Sequence, residues 1–311
     1  MVFYNEGLAL RSFLYEATVN GASIRYQPSS LWKATRQSLS GPETMRELVR
    51  QLLEGVADCH RRNVTHRDLK PENLIVHIPD LNDAAKARGL PVLKLADFGS
   101  AVDEYSQRHL YGETGPSVLD ETLDYAPPEV LFGDRQVPFP ALRPHSYDMW
   151  SVGVIILELT LGTSKVFQID ARTRAVIDHR LRTSTAAVRQ QAYLLKAMVL
   201  YCIYPPAPFT SGSRGSALVS AKCSDEGLNA LLRSLDPIGL GLPDIWAVKL
   251  LRRLLSWLPE SRVSAERALQ HRYFFSGETE AEGGAASFTC GGTEYEFRDE
   301  AAAACVSAPD A

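Results

Sequence analysis

Apolar residues recur every three or four positions in several parts of the chain. The clearest repeat runs from Gly41 to Asn63, where the charged residues fall largely on the face opposite the apolar ones. Because an α-helix brings such positions onto one side, this spacing predicts an amphipathic helix, and Pro42 suits its first turn. Residues 163–224 are irregular apart from one helical stretch. Further helices are predicted over residues 8–14, 148–162, 188–202, 225–235, 243–258 and 264–270.

Short apolar runs predict two β-strands. Residues 74–76 and 92–95 flank a long polar insertion, so they predict an antiparallel hairpin with a long loop. The polar residues 15–40 predict a loop with one short helix near residues 31–35. Residues 277–311 are rich in Gly, Ala, Glu and Ser, and we expect a disordered tail with a short strand at residues 294–297. Together these elements predict a mainly α fold of the α+β class.

The composition excludes several kinds of function. Of the 311 residues, 45% are hydrophobic and 23% are charged, which is ordinary for a globular protein with a sizeable core. The net charge of -4 gives no electrostatic reason to expect nucleic-acid or membrane binding. The longest apolar run is too short to span a bilayer and no signal peptide precedes it, so we expect a cytoplasmic or nuclear protein. The five scattered cysteines predict reduced thiols rather than disulfides or a zinc site.

Residues 66–73, His-Arg-Asp-Leu-Lys-Pro-Glu-Asn, concentrate the groups that phosphoryl transfer requires. Asp68 can accept a proton from a hydroxyl, Lys70 can neutralise a phosphoryl group, and Asn73 can hold a divalent cation through its amide oxygen. This chemistry depends on positioning and charge neutralisation more than on covalent steps. A chance match of this length would arise in roughly one chain in ten thousand, so we set that explanation aside.

This stretch resembles the catalytic loop of eukaryotic protein kinases, and a lysine two residues after the aspartate resembles the Ser/Thr-specific branch. Residues 97–99, Asp-Phe-Gly, resemble the kinase triplet that binds metal, and they follow the predicted hairpin. The resemblance implies that Asp68 acts as the catalytic base together with Lys70 and Asn73. It also implies that Asn73 and Asp97 bind Mg²⁺.

The same resemblance implies where ATP binds. Backbone groups near Phe3 and Asn5 would meet the adenine ring, and Ile75 would line the nucleotide site. Lys70 and Asp97 would lie against the phosphates. The implied cofactors are therefore ATP and Mg²⁺, and the implied partner is a protein substrate.

Residues 97–129 resemble the kinase activation segment and its substrate-docking loop. Thr122 matches the family threonine that contacts the catalytic aspartate and lysine. Glu129 is expected to pair with Arg262 in a buried fork that anchors the loop. Asp148 is expected to accept hydrogen bonds from the catalytic-loop backbone.

Other residues of the resemblance take supporting roles. His66 and Phe98 are expected to pack against each other rather than take part in chemistry. Arg67 would read a phosphate on the activation segment, although a segment that is ordered without phosphate stays an alternative. The sequence does not choose among five acceptors: Tyr105, Ser106, Tyr111, Thr114 and Ser117.

We identify no glycine-rich loop, strand lysine or helix glutamate of the kinds that precede the hinge in this family. We therefore expect residues 1–276 to form only the hinge and C-terminal lobe, without an N-terminal β lobe. Two hypotheses follow: a serine/threonine protein kinase, or a truncated, inactive pseudokinase-like module whose uncovered surface binds a partner. The chain also resembles the kinase portion of plant proteins that join a kinase to a phosphatase domain.

Overall fold

The fold is mainly helical. The computed structural model describes residues 7–20, 23–77, 91–112, 122–133, 143–206, 223–275, 287–290 and 293–296. Its helices are α1 Leu10–Leu14, α2 Ser30–Gln37, α3 Gly41–Arg61, α4 Glu104–Ser106, α5 Pro128–Leu131, α6 Pro144–Leu161, α7 Ala171–Arg180, α8 Ala186–Leu200, α9 Asp225–Leu235, α10 Ile245–Leu254 and α11 Ala265–Leu269. Its strands are β1 Leu8–Ala9, β2 Tyr15–Asn20, β3 Ser23–Pro28, β4 Leu74–His77, β5 Val92–Leu95, β6 Ser287–Cys290 and β7 Thr293–Glu296. Among these described helices, none is long and apolar enough to cross a membrane.

Helix α6 forms the centre of the larger compact unit, residues 1–273. Every residue from Tyr147 to Leu161 is buried, because the helix is apolar on all sides and α3, α9 and α10 pack around it. The helix ends at Gly162, which has a left-handed φ of 61° and donates its N–H to the Glu158 carbonyl at 2.9 Å. A side chain there would press on neighbouring side chains, so glycine satisfies both the turn and the close approach.

Strands β1, β4 and β5 form an antiparallel sheet in that order. Leu74 faces Leu95 across the β4–β5 pair, which confirms the predicted hairpin. Residues 66–73 lead into β4 and residues 97–99 follow β5. The pairing of the two strands therefore brings these two segments to the same end of the sheet.

The sequence patterns do not predict two elements that the structure contains. Strands β2 and β3 pair antiparallel, from Tyr15 opposite Pro28 to Asn20 opposite Ser23, where a polar loop is predicted. That prediction is wrong, although the short helix within it is confirmed as α2. Helix α7 lies in a region predicted to be irregular. Both elements are largely exposed, so neither segment shows the periodic apolar pattern that identifies a buried helix or strand in a sequence.

A disulfide joins Cys202 to Cys223, whose Cα atoms lie 5.6 Å apart. The prediction of reduced thiols is therefore wrong for this pair. The two cysteines are separated by 21 positions, and the fold brings the end of α8 close to the start of α9. The spacing of the two cysteines along the chain does not indicate that they lie close together in the fold. Cys59 is a free thiol within the described part of the chain, and burial raises its pKa.

The second unit, residues 274–311, contains the β6–β7 hairpin, with Ser287 opposite Glu296. Strand β7 overlaps the strand that is predicted for residues 294–297. The remainder of the predicted disordered tail lies outside the described residues.

Candidate active site

The buried Asp148 of α6 holds the catalytic loop in place. Its Oδ1 accepts the backbone N–H of Arg67 at 2.9 Å, and its Oδ2 accepts the backbone N–H of His66 at 2.9 Å. The same Oδ2 lies 2.9 Å from Nε2 of His60 on α3. Arg67 has a left-handed φ of 65°, which costs a residue with a side chain about 1–2 kcal/mol. These bonds confirm the predicted role of Asp148, and they maintain a backbone strain of the kind that is common at functional sites.

Asp68, Lys70 and Thr122 form a closed triangle of hydrogen bonds. Lys70 Nζ donates to Asp68 Oδ2 at 2.6 Å and to Thr122 Oγ1 at 3.0 Å. Thr122 Oγ1 in turn donates to Asp68 Oδ1 at 2.9 Å. The Asp68 side chain is 14% exposed and that of Lys70 is 22% exposed, so both reach solvent at the edge of the protein. The predicted contact of Thr122 with both residues is confirmed.

Asn73 completes the hydrogen bonding of Asp68. Its Nδ2 donates to the Asp68 carbonyl at 2.9 Å and to Asp68 Oδ2 at 3.0 Å. Because the amide nitrogen is turned toward Asp68, the amide oxygen remains as the acceptor on the other side of the group. The carboxylate of Asp68 thus receives three donors, which fix its orientation.

Asp97 lies next to this loop because its two chain neighbours are attached to it. The backbone N–H of Ala96 donates to the Asn73 carbonyl at 2.9 Å. The ring of Phe98 lies 4.7 Å from the ring of His66, between centroids. Asp97 itself is exposed, has a left-handed φ of 59°, and accepts the N–H of Gly99 at 3.2 Å. The aspartate therefore stands at the same edge as Asn73, with a carboxylate open to solvent.

The donor atoms at this edge suit Mg²⁺. The ion prefers oxygen ligands, and it usually takes one or two protein groups and completes its shell with water and phosphate oxygens. The amide oxygen of Asn73 and the exposed carboxylate of Asp97 are such groups. The described residues contain no cluster of three or more His, Cys, Asp or Glu side chains that would form an all-protein metal cage.

Packing residues of the site behave as the resemblance implies. His66 is fully buried, and its Nε2 lies 3.1 Å from the Ala96 carbonyl. Phe98 contacts it but is 47% exposed. Of the acceptors suggested on the activation segment, Tyr105 is exposed, whereas Ser106 is buried in a capping box with Asp103. Thr114 and Ser117 lie outside the described residues.

The predicted fork between Glu129 and Arg262 is confirmed. Arg262 Nη1 donates to Glu129 Oε1 at 2.6 Å and Nη2 donates to Oε2 at 2.5 Å. The guanidinium also donates to the backbone carbonyls of Ser146, Ser256 and Trp257, and the arginine side chain is fully buried. We call residues 122–131 the docking segment, and this fork fixes its C-terminal half.

Glu158 is a buried residue at this site that sequence reasoning missed. Its Oε1 accepts the hydroxyl of Tyr15 at 2.5 Å and its Oε2 accepts the hydroxyl of Tyr125, in the docking segment, at 2.6 Å. Burial raises the pKa of Glu158 to about 7, although the two tyrosine hydroxyls oppose that rise. The available signal was an acidic residue within an apolar helix, since a buried carboxylate needs hydrogen-bond partners.

The predicted nucleotide residues are only partly described. Ile75 is half-buried in β4, between Ala9 of β1 and Lys94 of β5. Phe3 and Asn5 lie outside the described residues. The structure therefore bears on the phosphate end of the predicted ATP site rather than on the adenine end.

Comparison with known proteins identifies related chains. The family model described as protein kinase domain matches residues 18–274. A probable inactive protein kinase of Arabidopsis thaliana is 39% identical over 300 residues, which cover 88% of this chain and 79% of that protein. The cell division control protein 2 homolog 3 of Trypanosoma brucei brucei is 31% identical over 74% of this chain and 60% of its own length. The cyclin-dependent kinase 7 of Dictyostelium discoideum is 29% identical over 76% of this chain and 52% of its own length.

The chain thus spans little more than half of the last two relatives. A crystal structure of the yeast RNA Pol II CTD kinase complex aligns over 84% of this chain and 74% of its own, with a TM-score of 0.47 and 20% identity. That likeness is too low to carry an argument.

One expectation from the sequence is wrong. The prediction of a kinase C-terminal lobe without an N-terminal β lobe conflicts with the family match, which begins at residue 18. It also conflicts with the strands β1, β2 and β3, which precede the catalytic loop and which the sequence patterns failed to predict. The match over residues 18–274 and the 39% identity to the Arabidopsis protein together mean that this chain belongs to the protein kinase family.

Proposed function

We propose that the protein is a serine/threonine protein kinase that transfers the γ-phosphoryl group of ATP to a hydroxyl of a protein substrate. The observation that carries the proposal is the triangle of Asp68, Lys70 and Thr122. In it, a side-chain hydroxyl already donates to Asp68 Oδ1 at 2.9 Å, which is the distance that a general base needs from the hydroxyl oxygen whose proton it removes. A substrate hydroxyl in the same pocket would meet the same oxygen.

Lys70 supplies positive charge beside this base. Its ammonium lies 2.6 Å from Asp68 Oδ2. A substrate hydroxyl that donates to Asp68 and a phosphoryl group that contacts Lys70 would therefore lie side by side. Transfer passes through a transition state with negative charge spread over the phosphoryl oxygens, and a fixed cation stabilises that charge without reorganisation. The lysine two residues after the aspartate also supports a serine or threonine acceptor.

Asn73 and Asp97 would hold Mg²⁺, and the bound ion would neutralise the phosphates of ATP. The chain contributes the orientation of both ligands. Asn73 is fixed by its bonds to Asp68, and Asp97 is held by a strained backbone between two anchored neighbours. Ile75 would line the nucleotide site. The Dictyostelium relative, whose name describes a cyclin-dependent kinase, supports a kinase activity.

A second candidate function is a kinase-like protein without catalytic activity that binds a polypeptide at the docking segment. The observation in its favour is the name of the Arabidopsis relative, a probable inactive protein kinase. Both candidates use the same docking segment, so they differ only in whether the phosphoryl group is transferred.

One experiment separates them. Purified protein is incubated with radiolabelled ATP, Mg²⁺ and a generic protein substrate, beside an Asp68→Asn variant and an Asp58→Asn control. Asp58 is an exposed carboxylate of α3, so its loss should leave the rate unchanged. Loss of the general base should lower the rate about 10²–10⁴-fold. If the wild type incorporates no label above background, the inactive candidate is preferred. If Asp68→Asn and the wild type incorporate equal label above background, Asp68 is not the base.

A further inference from the structure

Helices α7 and α8 form a helical hairpin whose first helix contributes nothing to the core. All ten residues of α7 are described, and none of them is buried. Helix α8 buries only Ala197 and Met198, near its C-terminal end. Thr173, Ile177 and Asp178 of α7 are half-buried and the other seven residues are exposed, so most of the surface of this helix is open to solvent.

This hairpin carries a charge opposite to that of the whole chain. Residues 170–196 contain six basic and two acidic side chains, a net charge of +4, whereas the whole chain has a net charge of -4. The remaining residues therefore carry a net charge of -8. The basic residues are Arg172, Arg174, Arg180, Arg182, Arg189 and Lys196, and the acidic ones are Asp170 and Asp178.

Two of the arginines brace the hairpin. Arg189 Nη1 donates to the Ser184 carbonyl at 2.6 Å, and its Nε lies 3.7 Å from Asp178. Arg174 lies over the ring of Tyr193, 4.6 Å from its centroid. These contacts order the turn between the two helices.

The other three arginines are presented to solvent. Arg172, Arg180 and Arg182 are exposed, and none of them forms an ion pair with a carboxylate of the described residues. Arg180 and Arg182 lie at the end of α7 and in the turn that follows it, whereas Arg172 lies near the start of α7, about 12 Å from Arg180 along the helix axis. Each guanidinium group can bind a carboxylate or phosphate with two parallel hydrogen bonds. We call these three residues the basic cluster.

The hairpin is joined to the docking segment. Gln191 Nε2 on α8 donates to the carbonyl of Leu131, the last residue of α5, at 3.2 Å. Thr122, at the other end of the same segment, contacts Asp68. Gln191 lies five residues after the start of α8, so the turn between α7 and α8 is about 8 Å from that contact along the helix axis. A polypeptide on the docking segment would pass within reach of Arg180 and Arg182, beside that turn, and an acidic segment several residues long could extend along α7 to Arg172.

We propose that the basic cluster binds an acidic segment of the protein substrate, close in sequence to the residue that is phosphorylated. The inference rests on the proposed function, whose substrate class it specifies. Carboxylates of the substrate pair with Arg172, Arg180 and Arg182, and the attraction also raises the rate of encounter. The overall negative charge of the chain disfavours a nucleic acid as the occupant, and the link through Gln191 favours a ligand of the docking segment.

The first test measures binding without catalysis. A fluorescent serine peptide flanked by aspartates and glutamates is titrated with the full chain, beside a peptide in which asparagine and glutamine replace the acidic residues. We expect the wild type to bind the acidic peptide about tenfold or more tightly at low salt, with the preference shrinking as salt screens it. An Arg172→Glu, Arg180→Glu, Arg182→Glu variant should lose the preference. The matched control reverses three other exposed arginines: Arg25, Arg233 and Arg267.

The control variant should keep the preference within about twofold. Arg→Lys changes at the basic cluster should retain part of it, because the charge is kept while the paired hydrogen bonds are lost. Thermal unfolding of every variant checks that the fold is intact. The inference is overturned if the wild type has no preference, if the reversed cluster keeps it, or if a single-stranded oligonucleotide displaces the acidic peptide at equal concentration.

A second test separates this inference from the proposed function. Phosphorylation of the acidic and neutral peptides is followed with Asp68→Asn as the inactive reference. Equal phosphorylation of both peptides, dependent on Asp68, supports the kinase and overturns the acidic preference. Selective binding of the acidic peptide without any transfer supports the basic cluster and overturns the kinase activity.

Discussion

A carboxyl group lies in the apolar core, three residues before the end of α6. Glu158 is 1% exposed, and its hydrogen bonds come from the hydroxyls of Tyr15 and Tyr125. Burial raises the pKa of both tyrosine hydroxyls, and the nearby carboxyl group of Glu158 raises these pKa values further. The two hydroxyls therefore keep their protons and remain hydrogen-bond donors. Burial also raises the pKa of Glu158 from 4.5 to about 7. The charged form is therefore disfavoured in the folded protein relative to the unfolded chain.

The sign and size of the effect on stability follow from this difference. Below pH 4.5 the carboxyl group holds its proton in both states, and between pH 4.5 and about 7 only the folded state holds it. The free energy of unfolding should therefore fall as the pH rises through this window, and it should level off above it. At about 1.4 kcal/mol for each pH unit, Glu158 alone accounts for a loss of about 3 kcal/mol.

Glu158→Gln tests this reasoning because the amide has nearly the same shape and does not titrate. Urea unfolding of the wild type and the variant is measured from pH 4 to pH 8, values chosen to bracket the window. Every other titrating group contributes to both proteins, so the difference between their free energies of unfolding isolates this site. The wild type should lose about 3 kcal/mol relative to the variant across the range.

The control is Glu54→Gln, an exposed carboxylate of α3. Its difference from the wild type should change with pH by less than about 0.5 kcal/mol. If the wild-type and Glu158→Gln curves run parallel, the carboxyl group is not protonated selectively in the folded state. The assignment of a buried acid at the docking segment would then be refuted.

Three further predictions concern stability and are checked by urea unfolding. Arg262→Ala should lower the free energy of unfolding by about 3–5 kcal/mol because it leaves the carboxylate of Glu129 without its partner. Arg262→Lys should lower it less, although it also loses the paired hydrogen bonds. Equal stability of both variants and the wild type would contradict the buried pair. Gly153→Ala should lower the free energy of unfolding by about 1–3 kcal/mol, although alanine has the better helix propensity, because the new Cβ would lie 2.6 Å from the side chain of Leu255, just after α10. A more stable variant would show that the structure relaxes around this contact. Reduction of the bond between Cys202 and Cys223 should cost about 3 kcal/mol, as expected for a closed loop of 21 residues, and mass spectrometry after alkylation should show two additional labelled thiols.

Much of the site could be predicted from the sequence because its parts lie close together along the chain. The catalytic loop occupies residues 66–73, and a single hairpin connects it to residues 97–99. The positions of Thr122 and Glu129 relative to each other are likewise fixed by a short segment. Motif spacing carries such information directly, since few backbone paths connect residues so near in sequence.

The features that sequence reasoning missed depend on contacts between distant residues. Glu158 receives a hydrogen bond from Tyr15, 143 positions away, and Cys202 meets Cys223 only because the fold brings the chain after α8 close to the chain before α9. The β2–β3 hairpin was missed for a different reason. Its apolar side chains at Val19 and Ile24 are exposed, so no apolar face distinguishes it from a polar loop. Tertiary structure, rather than local preference, determines these features.

The docking segment is suited equally to both candidate functions. It is attached at four points, each to a different part of the fold: Thr122 to the catalytic loop, Tyr125 to α6, Glu129 to the segment before α11, and Leu131 to α8. The backbone of residues 122–131 is therefore ordered before any ligand arrives, so a bound polypeptide loses less free energy to ordering the site. That advantage serves an enzyme and a binding protein equally. Only the groups that we propose for the phosphoryl transfer itself, Asp68 first among them, can distinguish the two. The decisive variant is therefore one that changes the carboxylate of Asp68 and leaves the docking segment intact.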